Sequence, residues 1–326
     1  MVVRMGRRRG NAISVVEAAY ETERTDEHWL RAVLDAAELD FPENVGTGAY
    51  LYDAATTPIR IGAAIGRGRI QTELLQGMVA TADDAYVEAT WRSIAFGTAS
   101  QGEGFDEIPA VRQVLHPRGI RDILALNAYD PSGLGVWVGA ALAEKSSPTA
   151  AAIRTWSRIA VHLAAAFRLR RREVVTEAAI LTPRGKLEHA EGDAKQATAA
   201  TALRAAVVSM DRARGALRRE DPREALEIWK GLVRARWTLL DRFDRDGKRY
   251  VVAVENRSDL VGPDALAPRE LQVVALVATG STPKLIAYDL GISDSTVRVL
   301  ISRAMAKLGV STRADLVAVY RAYRRS

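Results

Sequence analysis

Apolar residues along the 326-residue chain switch repeatedly between the spacing of a helix face and the alternation of a strand, and these switches mark out its elements. Asn11 to Leu39 reads as helical, with Val15, Val16, Trp29, Val33 and Ala36 at the apolar positions. The stretch GTGAYLYDAATTPIRIGAAIG then predicts an aromatic strand, a turn at Thr57–Pro58 and a second strand ending at Gly66. A helical period returns from Gln71 to about Phe96, followed by the glycine- and acid-rich loop GTASQGEGFDE. IRDILALNAYD and LGVWVGAALA form a hairpin turning at Pro131–Gly133.

From Thr149 to Arg172 a helix carries Ile153, Trp156, Ala160, Leu163 and Phe167 at i, i+3, i+7, i+10 and i+14. That is a coiled-coil-like seam, and it predicts pairing with a second copy across a two-fold axis. The helix closes on RLRRR, where cations offset the helix dipole. Further on, EAAILTPRGKLEHAEG reads as strand, turn, strand. Ala/Arg-rich helices follow from about Asp193 to Arg236, broken at Asp221–Pro222, where Asp caps and Pro starts a new helix. RWTLLDRFDRDGKRYVVAVEN is a hairpin turning near Asp246–Gly247, and RSDLVGPDAL a linker.

Leu285 to Val310, LIAYDLGISDSTVRVLISRAMAKLGV, holds two apolar-periodic segments separated by GISDS. The first is only about two turns long and needs tertiary support. Gly291 suits a helix C-terminus, and Ser293 or Asp294 can cap the next helix. There Val297, Ile301, Ala304 and Leu308 share one face, while Arg298, Val299, Ser302, Arg303 and Lys307 fall away from it. An apolar back with a small, basic front suits the major groove of DNA, about 12 Å wide. The same pattern fits an ordinary amphipathic pair with a solvated face.

From Leu266 to Leu316 the chain resembles the LuxR/NarL-type helix-turn-helix, in LAPRE, ATGSTPKLIAYDLGIS and STVRVLISRAMAKLGVSTRADL. The resemblance runs through all four helices of that module. It implies double-stranded DNA as the partner and puts Val297 and Ile301 in a trihelical core. It places Thr296, Arg298, Val299 and Ser302 at the DNA and Lys284 near a phosphate; Ser295, Arg303 and Lys307 complete the candidate DNA face. One departure is Leu300, where the family often carries a histidine. Relatives join their DNA-binding domains through the final helix, here lined by Leu316, Val319, Tyr320 and Tyr323, so a homodimer is expected.

Upstream, the order helix, strand pair, helix, strand pair, helix is similar in architecture to a GAF-type sensory domain, and the unit after it to a divergent PAS-type domain. The expected fold class is multidomain α+β: antiparallel-sheet domains with flanking helices, then an all-α four-helix reader. The expected domains are a basic tail at 1–10, a GAF-like domain at 11–175, a PAS-like domain at 176–258 and the DNA reader at 259–326. Tyr50, Tyr52, Trp91, Asn127, Tyr129 and Trp137 lie where a GAF-like fold would enclose a small-molecule ligand.

Charge sharpens this picture. The net +6 is concentrated at the two ends, with four arginines and no acid in residues 1–10 and nine basic against five acidic side chains in residues 261–326. Such an excess attracts DNA phosphates. The absence of cysteine excludes disulfides and thiol redox sensing, and fits a cytoplasmic protein. No apolar run approaches membrane-span length, and MVVRMGRRRG lacks the apolar stretch of a signal peptide.

Enzyme chemistry finds no support. Gly185–Lys186 and Gly247–Lys248 complete no phosphate-binding GxxxxGK[ST] loop, and no GxSxG frames a serine. His28, His116, His162 and His189 are far apart and form no HxxxH or HExxH, so no metal and no cofactor is expected. No lysine precedes proline, which excludes a phospho-receiver, and no tryptophan starts the WxxxY of acyl-homoserine-lactone receptors. The expected function is a dimeric transcriptional regulator with an unidentified small-molecule or protein signal, and RNA polymerase as a candidate partner. The alternative is an interaction protein whose α/β domains bind a protein, with DNA contact secondary.

Overall fold

The computed structural model describes residues 12–55, 58–80, 91, 95–102, 104–171, 176–234, 236–244, 246–256 and 262–325. The basic 1–10 segment, Thr57 and residues 257–261 of the expected linker lie outside these. The chain divides into two compact units, the first holding the described residues of 1–91, 95–128 and 134–167, the second those of 129–133 and 168–326. Among the described residues no helix is long and apolar enough to cross a membrane.

The first unit runs α1 (Ala12–Ala19), α2 (Asp26–Glu38), β1 (Gly46–Asp53), β2 (Arg60–Gly66), α3 (Thr72–Ala80), β3 (Ala95–Thr98), β4 (Asp122–Tyr129), β5 (Leu134–Leu142) and α4 (Ala150–Arg170). Its antiparallel sheet has the order β2-β1-β5-β4-β3. The segment expected as one helix to Leu39 is two. The chain leaves α1 after Ala19 and restarts where the Thr25 hydroxyl accepts from the His28 amide. Buried Trp29 donates its indole N–H to the Ala19 carbonyl at 2.7 Å, satisfying an end-of-helix oxygen that the break exposes.

Two further expectations are corrected here. Phe96 was expected at the end of a helix; it lies in β3, paired with Leu126 and stacked on Trp156 at 5.4 Å between centroids. A four-residue strand is too short to show a period of its own, so tertiary pairing decides. The seam on α4 was expected to pair protomers. Trp156, Ala160, Leu163 and Phe167 are instead buried within their own unit, Trp156 against Phe41 and Phe96, Phe167 against Trp29. Only Ile153 is exposed. Heptad spacing records that a helix face is covered, not what covers it.

The second unit contains a four-stranded sheet ordered β7-β6-β9-β8, from β6 (Glu177–Leu181), β7 (Leu187–Ala190), β8 (Trp237–Phe243) and β9 (Arg249–Glu255). Between β7 and β8 come α5 (Ala197–Arg214), α6 (Leu217–Glu220) and α7 (Pro222–Ile228). Asp221 caps α7 as expected, accepting from the amides of Arg223 and Glu224 at 3.0 and 2.9 Å. The helix expected to reach Arg236 stops at Ile228. The chain then turns irregular, with Trp229, Leu232 and Val233 buried. Four helices end the unit: α8 (Pro268–Ala278), α9 (Pro283–Leu290), α10 (Asp294–Leu308) and α11 (Arg313–Arg325).

Candidate nucleic-acid interface

The core of these last helices is built by Val273, Val274 and Val277 of α8, Ile286 and Leu290 of α9, Val297, Ile301 and Ala304 of α10, and Leu316 and Tyr320 of α11. Leu232, from the irregular stretch after α7, completes it at 4% exposure. Thr282 caps α9, accepting from the Leu285 amide, and Pro283 holds its first turn. Gly291 ends α9 in the left-handed region, φ 61°. A methyl group there would also fall 1.9 Å from the Leu232 carbonyl oxygen, so both backbone conformation and space demand glycine.

Ser293, not Asp294, caps α10: its Oγ accepts from the Thr296 amide at 3.0 Å and lies 2.7 Å from both the Ser295 and the Thr296 hydroxyls. Asp294 instead takes the Arg298 Nε at 2.8 Å, one turn along the helix. The two terminal nitrogens of Arg298 have no protein partner among the described residues, and they form the fork that matches guanine O6 and N7. Val299 is 49% exposed beside it. Lys284, Ser295, Thr296, Arg298, Val299, Ser302, Arg303 and Lys307 are all exposed. Lys307 also has a structural task, because its ammonium reaches the Glu270 carboxylate at 2.7 Å. That hydrogen bond, and a second from the Ala267 amide, hold Glu270 below the usual carboxylate range.

Leu316 and Tyr320, expected at a dimer surface, are buried in this core; Val319 and Tyr323 alone of the four are exposed on α11. Helix periodicity could not separate the two pairs, because both stripes of α11 are apolar. Sequence reasoning missed Tyr288 entirely. Its hydroxyl donates to the carbonyls of Leu226 and Trp229 at 2.8 and 2.7 Å, satisfying oxygens that the end of α7 leaves open. The Lys230 ammonium lies 4.9 Å above its ring.

The comparisons bear on this helical segment. Residues 264–320 match the model of the bacterial regulatory proteins of the luxR family. Residues 264–320 are a LuxR-family helix-turn-helix domain. A relative of the LuxR-type segment is nodulation protein W of Bradyrhizobium diazoefficiens, 34% identical over 80 residues, 24% of this chain and 33% of that protein. The chain therefore spans a third of that relative's length. Among solved structures, Escherichia coli SdiA aligns at 9% identity and TM-score 0.29 over 92% of both chains. SdiA in complex with octanoyl-rac-glycerol aligns at 11% and 0.32, over 96% of this chain and 93% of that one.

The six residues expected to line a ligand pocket are all buried. Tyr52 donates to Asn127 Oδ1 at 2.5 Å and lies 2.9 Å from the Trp91 carbonyl; the Trp91 indole donates to the Tyr50 hydroxyl at 2.7 Å. Tyr50 stacks on Trp137 at 5.0 Å. Gly135, opposite Tyr52 across the β1–β5 ladder, has no side chain, which leaves room for that ring. Tyr129 ends β4 and is buried there. The histidines stay apart: His162 meets the Tyr20 hydroxyl at 3.1 Å, and His189 pairs with Glu191.

Proposed function

We propose that the chain is a sequence-specific DNA-binding transcription regulator, with α10 read into the major groove and Lys284 on a phosphate. The observation that carries this is the exposed front of α10. A short hydroxyl cluster, Arg298 and Val299 stand exposed on the side opposite Val297, Ile301 and Ala304, which are buried in the LuxR-type core. Mobility shift with genomic fragments at two salt concentrations tests it. Retention of a subset of fragments against excess competitor DNA supports a regulator; binding that is sequence-blind and lost at the higher salt favours the interaction-protein reading instead.

The finer assignments are part of the same proposal. The domains are a GAF-like body at 11–175, a PAS-like body at 176–258 and the reader at 259–326, working in the cytoplasm as a homodimer. With the α4 seam inside its own unit, the support for pairing comes from the exposed Val319 and Tyr323 of α11. Paired readers would take half-sites about 10–10.5 base pairs apart. The mutual hydrogen bonds among Tyr50, Tyr52, Trp91 and Asn127 support a packing role for that cluster over a ligand-lined pocket.

A further inference from the structure

Arg234, in the irregular stretch after α7, is the one non-glycine residue with positive φ (52°) among the described residues. A left-handed backbone strains an arginine, and such outliers persist where the surroundings hold them and gather at functional sites. One hydrogen bond holds this one, which lies beside Gly291. The Arg269 guanidinium, from the first turn of α8, donates to the Arg234 carbonyl. The Arg234 amide lies against Gly291, within 3.4 Å of where a methyl group would stand. Arg234 therefore sits at the joint that leads into α10.

The side chains of Arg234 and Arg269 are both exposed. Arg236, next in the same stretch, is neutralised by Asp193 and Glu255. No carboxylate lies within ion-pair distance of Arg234 or Arg269 among the described residues. Burial first, and then the charges of Arg234 and Arg236, hold the Arg269 pKa below its ordinary value. Two arginines are thus kept side by side with nothing to neutralise them, next to the entry of the recognition helix.

We propose that Arg234 and Arg269 form a binding site for a DNA backbone phosphate, with Arg234 supplied from outside the LuxR-type domain. This rests on the DNA-binding reading above. An anion between two guanidinium groups removes their repulsion, and the planar fork of arginine matches phosphate oxygens. The contact fixes the register of α10 on the duplex and carries no base information.

Salt titration of random-sequence duplex binding by the full-length protein tests this. Arg234→Gly removes the charge and suits the left-handed backbone, so thermal unfolding should be unchanged. The expected results are a roughly three- to tenfold weaker affinity at low salt and a log–log salt slope shallower by about one. Arg234→Lys should keep the slope, and Arg269→Ala should reduce it. Wild-type affinity and slope in Arg234→Gly, with both altered in Lys284→Ala, would overturn the site and leave the DNA reading standing. No duplex binding by the unaltered protein at any salt would remove both.

Discussion

The Lys307 ammonium and the Glu270 carboxylate, 2.7 Å apart, tie the last turn of α10 to the first turn of α8. The Glu270 side chain is 6% exposed and that of Lys307 43%, so water screens the pair from the lysine side. Glu270→Gln should destabilise the helical domain by about 1 kcal/mol, read as the shift in its chemical unfolding midpoint. Because the folded state holds this carboxyl below its ordinary pKa, its contribution is present above pH about 4.5 and fades as pH falls through the folded value.

Asp289 behaves in the opposite sense. Burial pushes its carboxyl up to about 7, with Asp130 adding to the rise and Arg168 opposing it, although part of its surface remains exposed. The folded state then binds a proton that the unfolded chain releases near pH 4. Stability should therefore fall as pH rises from about 4 to about 7, at no more than about 1.4 kcal/mol per pH unit. Asp289→Asn should flatten that limb of the curve; an unchanged slope between pH 5 and 7 would contradict the assignment.

At the DNA, Arg298→Ala should weaken a retained genomic fragment by roughly 1–3 kcal/mol and leave random duplex nearly as before. Competition titration reads the difference. Lys284→Ala should weaken both alike. Equal losses for Arg298→Ala on the two DNAs would mean that α10 reads no bases.

Trp156→Ala should destabilise the first unit by about 3–5 kcal/mol, because it empties a space between Phe41 and Phe96. Light scattering of the folded variant should give the same oligomeric state as the unaltered protein. A Val319→Asp, Tyr323→Asp pair is expected to do the reverse, lowering the molar mass while leaving thermal stability close to its starting value.

Much of the C-terminal domain was legible because its signals are local. The Gly291 stop, the Ser293 cap and the Val297, Ile301, Ala304 face each follow from a few neighbouring residues. What escaped depends on distant partners. Helical period made Trp156 and Phe167 look like an outer seam, since spacing cannot say that Phe96 and Trp29 cover them. The bonds from Tyr288 to Leu226 and Trp229 span about sixty positions of sequence, and nothing near Tyr288 announces them. Residues 229–234 look helical in composition, yet the helix ends at Ile228, and the hydroxyl of distant Tyr288 donates to the Trp229 carbonyl beyond it.

Leu232 also decides where this protein can be cut. A fragment starting at the linker, near residue 262, would carry every helix of the LuxR-type domain but lose Leu232 from its core. It would also strand the Tyr288 hydroxyl, whose acceptors stay behind. Grafting that fragment onto another sensor should give a loosened head, whereas a boundary placed ahead of Pro222 carries Leu232 and the acceptors along. In this chain the unit that can be transplanted is larger than the unit that sequence similarity outlines.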